Sequence, residues 1–128
     1  MRVVHEPVGD DGERGVRVDT EETLAATVEF AEGFLSKARG LMFRRSIPDD
    51  YALVFPFDDV APRDTHMVFV PFDIDAVWTV DEEVAAVKRL RAWRGVGYER
   101  ADTLIELPAG AAANVEPGDR VRVVEDTE

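Results

Sequence analysis

The chain has 128 residues, 45% of them hydrophobic, with no cysteine and a formal net charge of -12 from 27 acidic against 15 basic side chains. That length suits one domain over residues 1-128, because a second core would leave each half near the size where burial barely offsets chain entropy. The missing cysteine excludes thiol catalysis, iron–sulfur clusters and thiolate zinc sites, and the negative balance without a basic face disfavours nucleic acid as a partner.

In chain order, Val3 to His5 and Val16 to Val18 flank a glycine-bearing polar stretch and read as a hairpin with a long loop. Leu24, Ala26, Val28 and Phe30 then alternate with polar or small residues, the period of a half-buried third strand. From Gly33 the period changes. Phe34, Leu35, Ala38, Leu41 and Met42 share one side of a helix expected from about Gly33 to Phe43, weakened by Gly40 and ended before Pro48.

Six further apolar stretches read as strands: Ala52 to Phe55, His66 to Val70, Ile74 to Val80, Val84 to Trp93, Thr103 to Leu107 and Arg120 to Val124. Breakers such as Pro56, Pro62, Pro71, Gly95, Gly97, Pro108 and Pro117-Gly118 separate them. The expected fold is mainly β: a compact antiparallel β-sandwich or distorted barrel with one short helix, with α+β as the alternative. Only the acidic tail, 125–128, is expected to fray.

Four ordered segments stand out: RGLMFRRS from Arg39, IPDDYALVFPF from Ile47, THMVFVPFDIDAVW from Thr65, and LIELPAG from Leu104 with PGDRV behind it. Together they resemble the bacterial and archaeal family known as domain of unknown function 192, over roughly Val28 to Val124. The resemblance implies a compact, mainly antiparallel β domain whose short helix carries the GLMFR motif, and it implies no reaction. His66 and Met67 stand where many members have Trp-Met followed by Lys-Asn-Thr, so roles that depend on those polar groups are not carried over.

Arg44 closes GLMFR and offers a fork to a carboxylate, of a ligand or of the protein itself, with Asp73 and Glu106 the internal candidates. His66 lies in a stretch with Asp64, Asp73 and Asp75, where a histidine–carboxylate acid/base pair is geometrically conceivable. No metal site is expected, because the other histidine is the distant His5 and the usual ligand cluster is missing. Glu106 interrupts an apolar strand and points with Leu104; if buried, it calls for a nearby arginine. Trp78, Trp93, Phe69 and Phe72 read first as core and second as an apolar groove. Lys88, Arg89, Arg91 and Arg94 read as a solvated face, and Pro117-Gly118-Asp119 as a hairpin turn.

Glycines occur without a phosphate loop or dinucleotide fingerprint, and the serines lack a nucleophile elbow, so no cofactor is expected. No apolar run approaches the ~20 residues that span a bilayer and Met1 to Pro7 are too polar for a secretory signal, so no membrane association and a cytoplasmic location are expected. Lys37 and Lys88 are the sole lysines, and this composition resembles that of salt-loving organisms, whose carboxylate surfaces hold water at high salt. The leading expectation is a noncatalytic domain binding a small ligand or a protein through Arg44, His66, Asp73 and Glu106. The rival is a small hydrolase or isomerase using His66, Asp73 and Arg44.

Overall fold

The computed structural model describes residues 1–8 and 21–125. In chain order its elements are β1 (Arg2–Glu6), β2 (Glu22–Ala25), β3 (Thr27–Phe30), α1 (Phe34–Arg39), β4 (Tyr51–His66), β5 (Ile74–Val80), β6 (Glu83–Leu90), β7 (Val96–Pro108) and β8 (Arg120–Val124). The mainly β architecture with one short helix is therefore as expected. The strands form one eight-stranded sheet in the order β2-β1-β8-β6-β5-β7-β4-β3, open at β2 and β3 and not closed into a barrel. One pair departs from the antiparallel pattern: β3 and β4 run parallel, because the chain crosses back through α1 and its flanking turns.

Strand alternation divides the central apolar residues between two faces. Tyr51, Leu53 and Phe55 lie with Ile74, Ala76, Trp78 and Leu104 on one face. Ala52 and Val54 lie with Val77, Ile105 and Leu107 on the other. Both faces are covered, which accounts for the near-continuous apolar runs in β4, β5 and β7. Val3, Ala25 and Val121 join the second cluster, so the β1, β2 and β8 end curls over that face. Leu41, Met67 and Val70 from connecting segments cover the first.

Several boundaries differ from expectation. The strand read from Leu24 to Phe30 bends at Ala26 into β2 and β3, which pair with β1 and β4 respectively. β4 runs through both Pro56 and Pro62: β3 pairs only with Tyr51 to Val54, so the rest of β4 has an open side on which a missing N–H breaks no ladder bond. Val84 to Trp93 shortens to β6, and Gly97, read as a breaker, lies inside β7. Of the stretch His66 to Val70, only His66 is strand, as the end of β4, and the rest is a turn, with the Val70 amide donating to Met67 O at 3.0 Å and Phe69 at φ 61°. The helix spans six residues and stops at Gly40, whose φ is +50°. Its expected apolar face is not buried: Phe34 is 84% and Leu35 78% exposed, and Leu41 enters the core only from the turn beyond. The expected strand Val16 to Val18 and the end of the acidic tail lie outside the described residues.

The β4–β7 ladder shifts register between Pro56 and Ala61, a bulge that bends the pair. Thr65 is opposite Gly97, nine positions along β7 from Glu106, a span of about 30 Å if straight. Yet the Thr65 hydroxyl is 2.7 Å from the Glu106 carboxylate. The outer halves of β4 and β7 therefore fold back over the first face. Trp78 fixes the fold-back, its indole N–H donating to Arg63 O at 3.0 Å. A Cβ on Gly97 would lie 2.4 Å from the Trp78 ring, so this close approach requires glycine.

Candidate functional site

The fold-back leaves a cavity of about 370 Å³ between the sheet, the outer half of β4 and α1. The sheet supplies Phe55, Ile74 and Leu104, the turn after α1 supplies Leu41 and Met42, and the turn after β4 supplies Met67 and Val70. Lys37 and Arg39 from the last turn of α1, with Asp64 and His66 from β4, stand around it. RGLM, THM and LIE, remote in sequence, thus meet on one apolar chamber of ligand size.

Glu106 is the buried acid of this chamber, 3% exposed, with Leu53 and Ala76 as its cross-strand neighbours. Thr65 donates to its Oε2, whereas Oε1 has no partner among the described residues and keeps contact with the cavity. The arginine expected beside a buried Glu106 is not bonded to it. Arg63 lines the same cavity, but its guanidinium donates to Asp59 Oδ1 at 2.8 Å and to Ala101 O at 3.2 Å. Burial without a cation pushes the Glu106 carboxyl up to about 7, against a smaller lowering by the Thr65 hydroxyl. Near neutrality the group can therefore exist as an acid that donates a hydrogen bond or as a carboxylate that accepts one.

His66 also lines the cavity, from an exposed position; its Nδ1 accepts the Val68 amide at 3.2 Å, so a neutral ring carries its proton on Nε2. Arg44 and Asp73 do not line it. Arg44 donates to Tyr51 Oη at 3.0 Å and to Glu29 at 3.1 Å, so its partner is Glu29 rather than Asp73 or Glu106. Tyr51 donates to the same Glu29 oxygen at 2.6 Å, and the hydrogen bonds from Tyr51 and Arg44 hold the Glu29 carboxyl below its ordinary range. Asp73 accepts the Ala92 amide at 2.8 Å in an exposed turn. No hydrogen bond or ion pair joins His66, Asp73 and Arg44, so the acid/base set proposed from the sequence is not assembled. Among the described residues no cluster of three metal-ligating side chains occurs.

Two polar arrangements were not anticipated. Asp75, 3% exposed, accepts from Arg89 Nε and, at 2.9 Å each, from the amides of Gly110 and Ala112, clamping the loop after LIELP. Arg89 is thus half exposed, on the solvated face expected of it, while its Nε also holds Asp75. Asp119, read as a turn residue, lies 2.8 Å from the Nε2 of buried His5 and accepts the Val8 and Glu116 amides. Burial alone would raise the Asp119 carboxyl, but the His5 contact and the two amides outweigh it and leave it lowered. The pair is 114 positions apart, beyond any local sequence pattern.

Comparison with known proteins places the chain among relatives described only as UPF0127 proteins. One, from Thermococcus gammatolerans, is 33% identical over 98 residues, covering 73% of this chain and 64% of its own length, so the chain spans under two thirds of that relative. Another, from Pyrococcus furiosus, is 33% identical over 112 residues, covering 83% and 94%. Among solved structures, a Novosphingobium aromaticivorans protein of unknown function has a TM-score of 0.75 at 20% identity, covering 96% of this chain and 84% of its own. A Sinorhizobium meliloti protein provisionally described as a transcription regulator has a TM-score of 0.71 at 21% identity, covering 94% and 92%. These two likenesses concern the fold alone. The model of the DUF192 family, described as "Uncharacterized ACR", matches residues 16–123, and the chain belongs to that family.

Proposed function

We propose that this chain is a noncatalytic domain that binds a small, largely apolar ligand in the cavity beneath the β4–β7 fold-back, with Glu106 and His66 as its polar contacts. The observation that carries this reading is Glu106: a 3% exposed carboxyl with one hydroxyl partner, opening onto a chamber of about 370 Å³. Burying an acid without a cation costs stability, and a ligand that completes its hydrogen bonding offsets that cost. Arg44 and Asp73 are engaged elsewhere, which weighs against the hydrolase or isomerase reading.

Thermal-shift screening of small apolar molecules tests the proposal, since binding to the native state raises the midpoint by mass action. Hits are expected to lose their shift in Ala38→Trp, because Ala38 is an exposed cavity-lining position and an indole there fills the mouth without disturbing the core. Hits that ignore this variant, Glu106→Gln and His66→Ala alike place the site elsewhere.

A protein partner is the second reading, favoured by one observation. Phe43 and Phe69 stack with centroids 4.9 Å apart while 64% and 49% exposed, and Trp93 is 56% exposed. All three hold positive φ, at 70°, 61° and 69°, a conformation costly for bulky side chains. Co-purification that depends on Phe69 and Trp93 is the test. Among the described residues no helix is long and apolar enough to cross a membrane. A cytoplasmic setting at high salt fits the charge of -12, and a thermal midpoint that rises strongly with potassium chloride tests it.

A further inference from the structure

The chemistry of the cavity wall restricts what can occupy it. Apart from Glu106 and Thr65, the inner wall is apolar side chain: Leu41, Phe55, Met67, Ile74 and Leu104. Charged groups facing Glu106 come from two elements. β4 contributes Arg63, tied to Asp59, with Asp64 and His66; α1 contributes Lys37 and Arg39. β5 presents only Ile74, Ala76 and Trp78 on this face, its Asp75 being turned to the other and paired there.

In so apolar a setting the protonated form of Glu106 is favoured, and with Thr65 donating to Oε2, the acid proton is left for Oε1 to direct into the chamber. The inner end of a matching ligand is then a neutral acceptor, such as a carbonyl. At the mouth, Lys37 lies over the Phe57 ring at 4.5 Å, and the Arg39 guanidinium makes no hydrogen bond or ion pair with any described residue. Two cations there run against the molecule's overall charge of -12 and complement an anion. The volume equals the liquid share of roughly a dozen waters, enough for one short chain or single ring.

We propose that the cavity takes a compact amphiphilic monoanion, its neutral acceptor end received by Glu106 and its anionic end held at Lys37 and Arg39. This rests on the cavity being the ligand site. It goes further by fixing the polarity and orientation of the ligand.

Four para-substituted benzenes of similar size separate the terms by calorimetric titration of the whole chain at pH 6 and pH 8.5. 4-Acetylbenzoate carries both groups, 4-isopropylbenzoate the anion alone, 4-isopropylacetophenone the acceptor alone, and 4-isopropylbenzylamine a cation. The first is expected to bind about fivefold or more tightly than the second and third at pH 6, the scale of one hydrogen bond or one exposed ion pair. Its affinity should fall about tenfold at pH 8.5, as Glu106 loses the proton it holds up to about 7.

Glu106→Gln, which keeps a donor at every pH, should abolish that fall, assigning it to this carboxyl. The surface double variant Lys37→Ala with Arg39→Ala should erase the advantage of the carboxylate and leave the ketone unaffected. Tightest binding by the benzylamine, lost in Glu106→Gln, overturns the proposal by reversing its polarity. Binding of all four with equal affinity overturns the ligand class but leaves the cavity as an apolar site. Binding of none overturns both.

Discussion

Asp75 and Glu106 sit on adjacent strands, each 3% exposed, and they face opposite sides of the sheet. Asp75 is surrounded by donors: the Arg89 guanidinium and the amides of Gly110 and Ala112. Glu106 has one hydroxyl partner and borders the cavity. Burial is equal, so burial alone says nothing about role; what separates a fold-holding carboxylate from a ligand-facing one is how many of its lone pairs the protein itself satisfies. The β1, β2 and β8 side repeats the first pattern, with Asp119 taking His5 and two amides.

The largest expected effect comes from breaking the satisfied member. Asp75→Ala strips the acceptor from one guanidinium and two amides, and should lower unfolding stability in urea by about 3–5 kcal/mol. Loss of protection at the Gly110 and Ala112 amides in hydrogen exchange should accompany it. An effect below about 1 kcal/mol would mean that the clamp is dispensable.

Glu106 gives the next effect, with the opposite logic. Its carboxyl is near 7 folded against 4.5 as the ordinary value, so the folded state binds the proton more tightly. That contribution is fully present below about pH 4.5 and is lost as the pH rises through 7, amounting to about 3 kcal/mol at most. Denaturant midpoints measured from pH 5 to pH 8.5 should fall in the wild type and flatten in Glu106→Gln. Glu29 and Asp119, both lowered, act at the other end: their stabilisation is present above the ordinary carboxylate range and is lost as the pH drops through their depressed values.

Gly97→Ala tests whether the fold-back needs its close approach. A Cβ 2.4 Å from the Trp78 ring forces the indole or the strand to move, at about 1–3 kcal/mol, and tryptophan fluorescence should report the displacement. The smallest effect is expected at Arg44. Its partner Glu29 is half exposed, so Arg44→Ala should cost at most about 1 kcal/mol and leave any ligand-induced midpoint shift unchanged. A lost shift would return Arg44 to the site.

The parts of the molecule legible in the sequence are those governed by local periodicity. Alternation puts Glu106 with Leu104 and away from Ile105 and Leu107, which is the arrangement found. The family-like segments RGLMFRRS, THMVFVPFDIDAVW and LIELPAG mark three of the cavity's walls. What escaped reading was set by long-range contacts or by breakers in unusual places. Pro56 and Pro62 looked like strand ends because nothing in the sequence says that this half of β4 has an open side. Phe34 and Leu35 carry helical spacing, but a six-residue helix stopped by Gly40 cannot turn both inward. Glu29, 15 positions before Arg44, and His5, 114 before Asp119, become partners only once the sheet is ordered.

The most direct test of the contrast is the unfolding free energy of Glu106→Gln at pH 8. If the carboxyl is kept for a ligand, the neutral amide keeps the Thr65 contact and sheds the buried charge, and the variant should be more stable than the wild type by about 1–3 kcal/mol. A variant destabilised by more than about 1 kcal/mol would contradict the account and make Glu106, like Asp75, a residue that holds the fold.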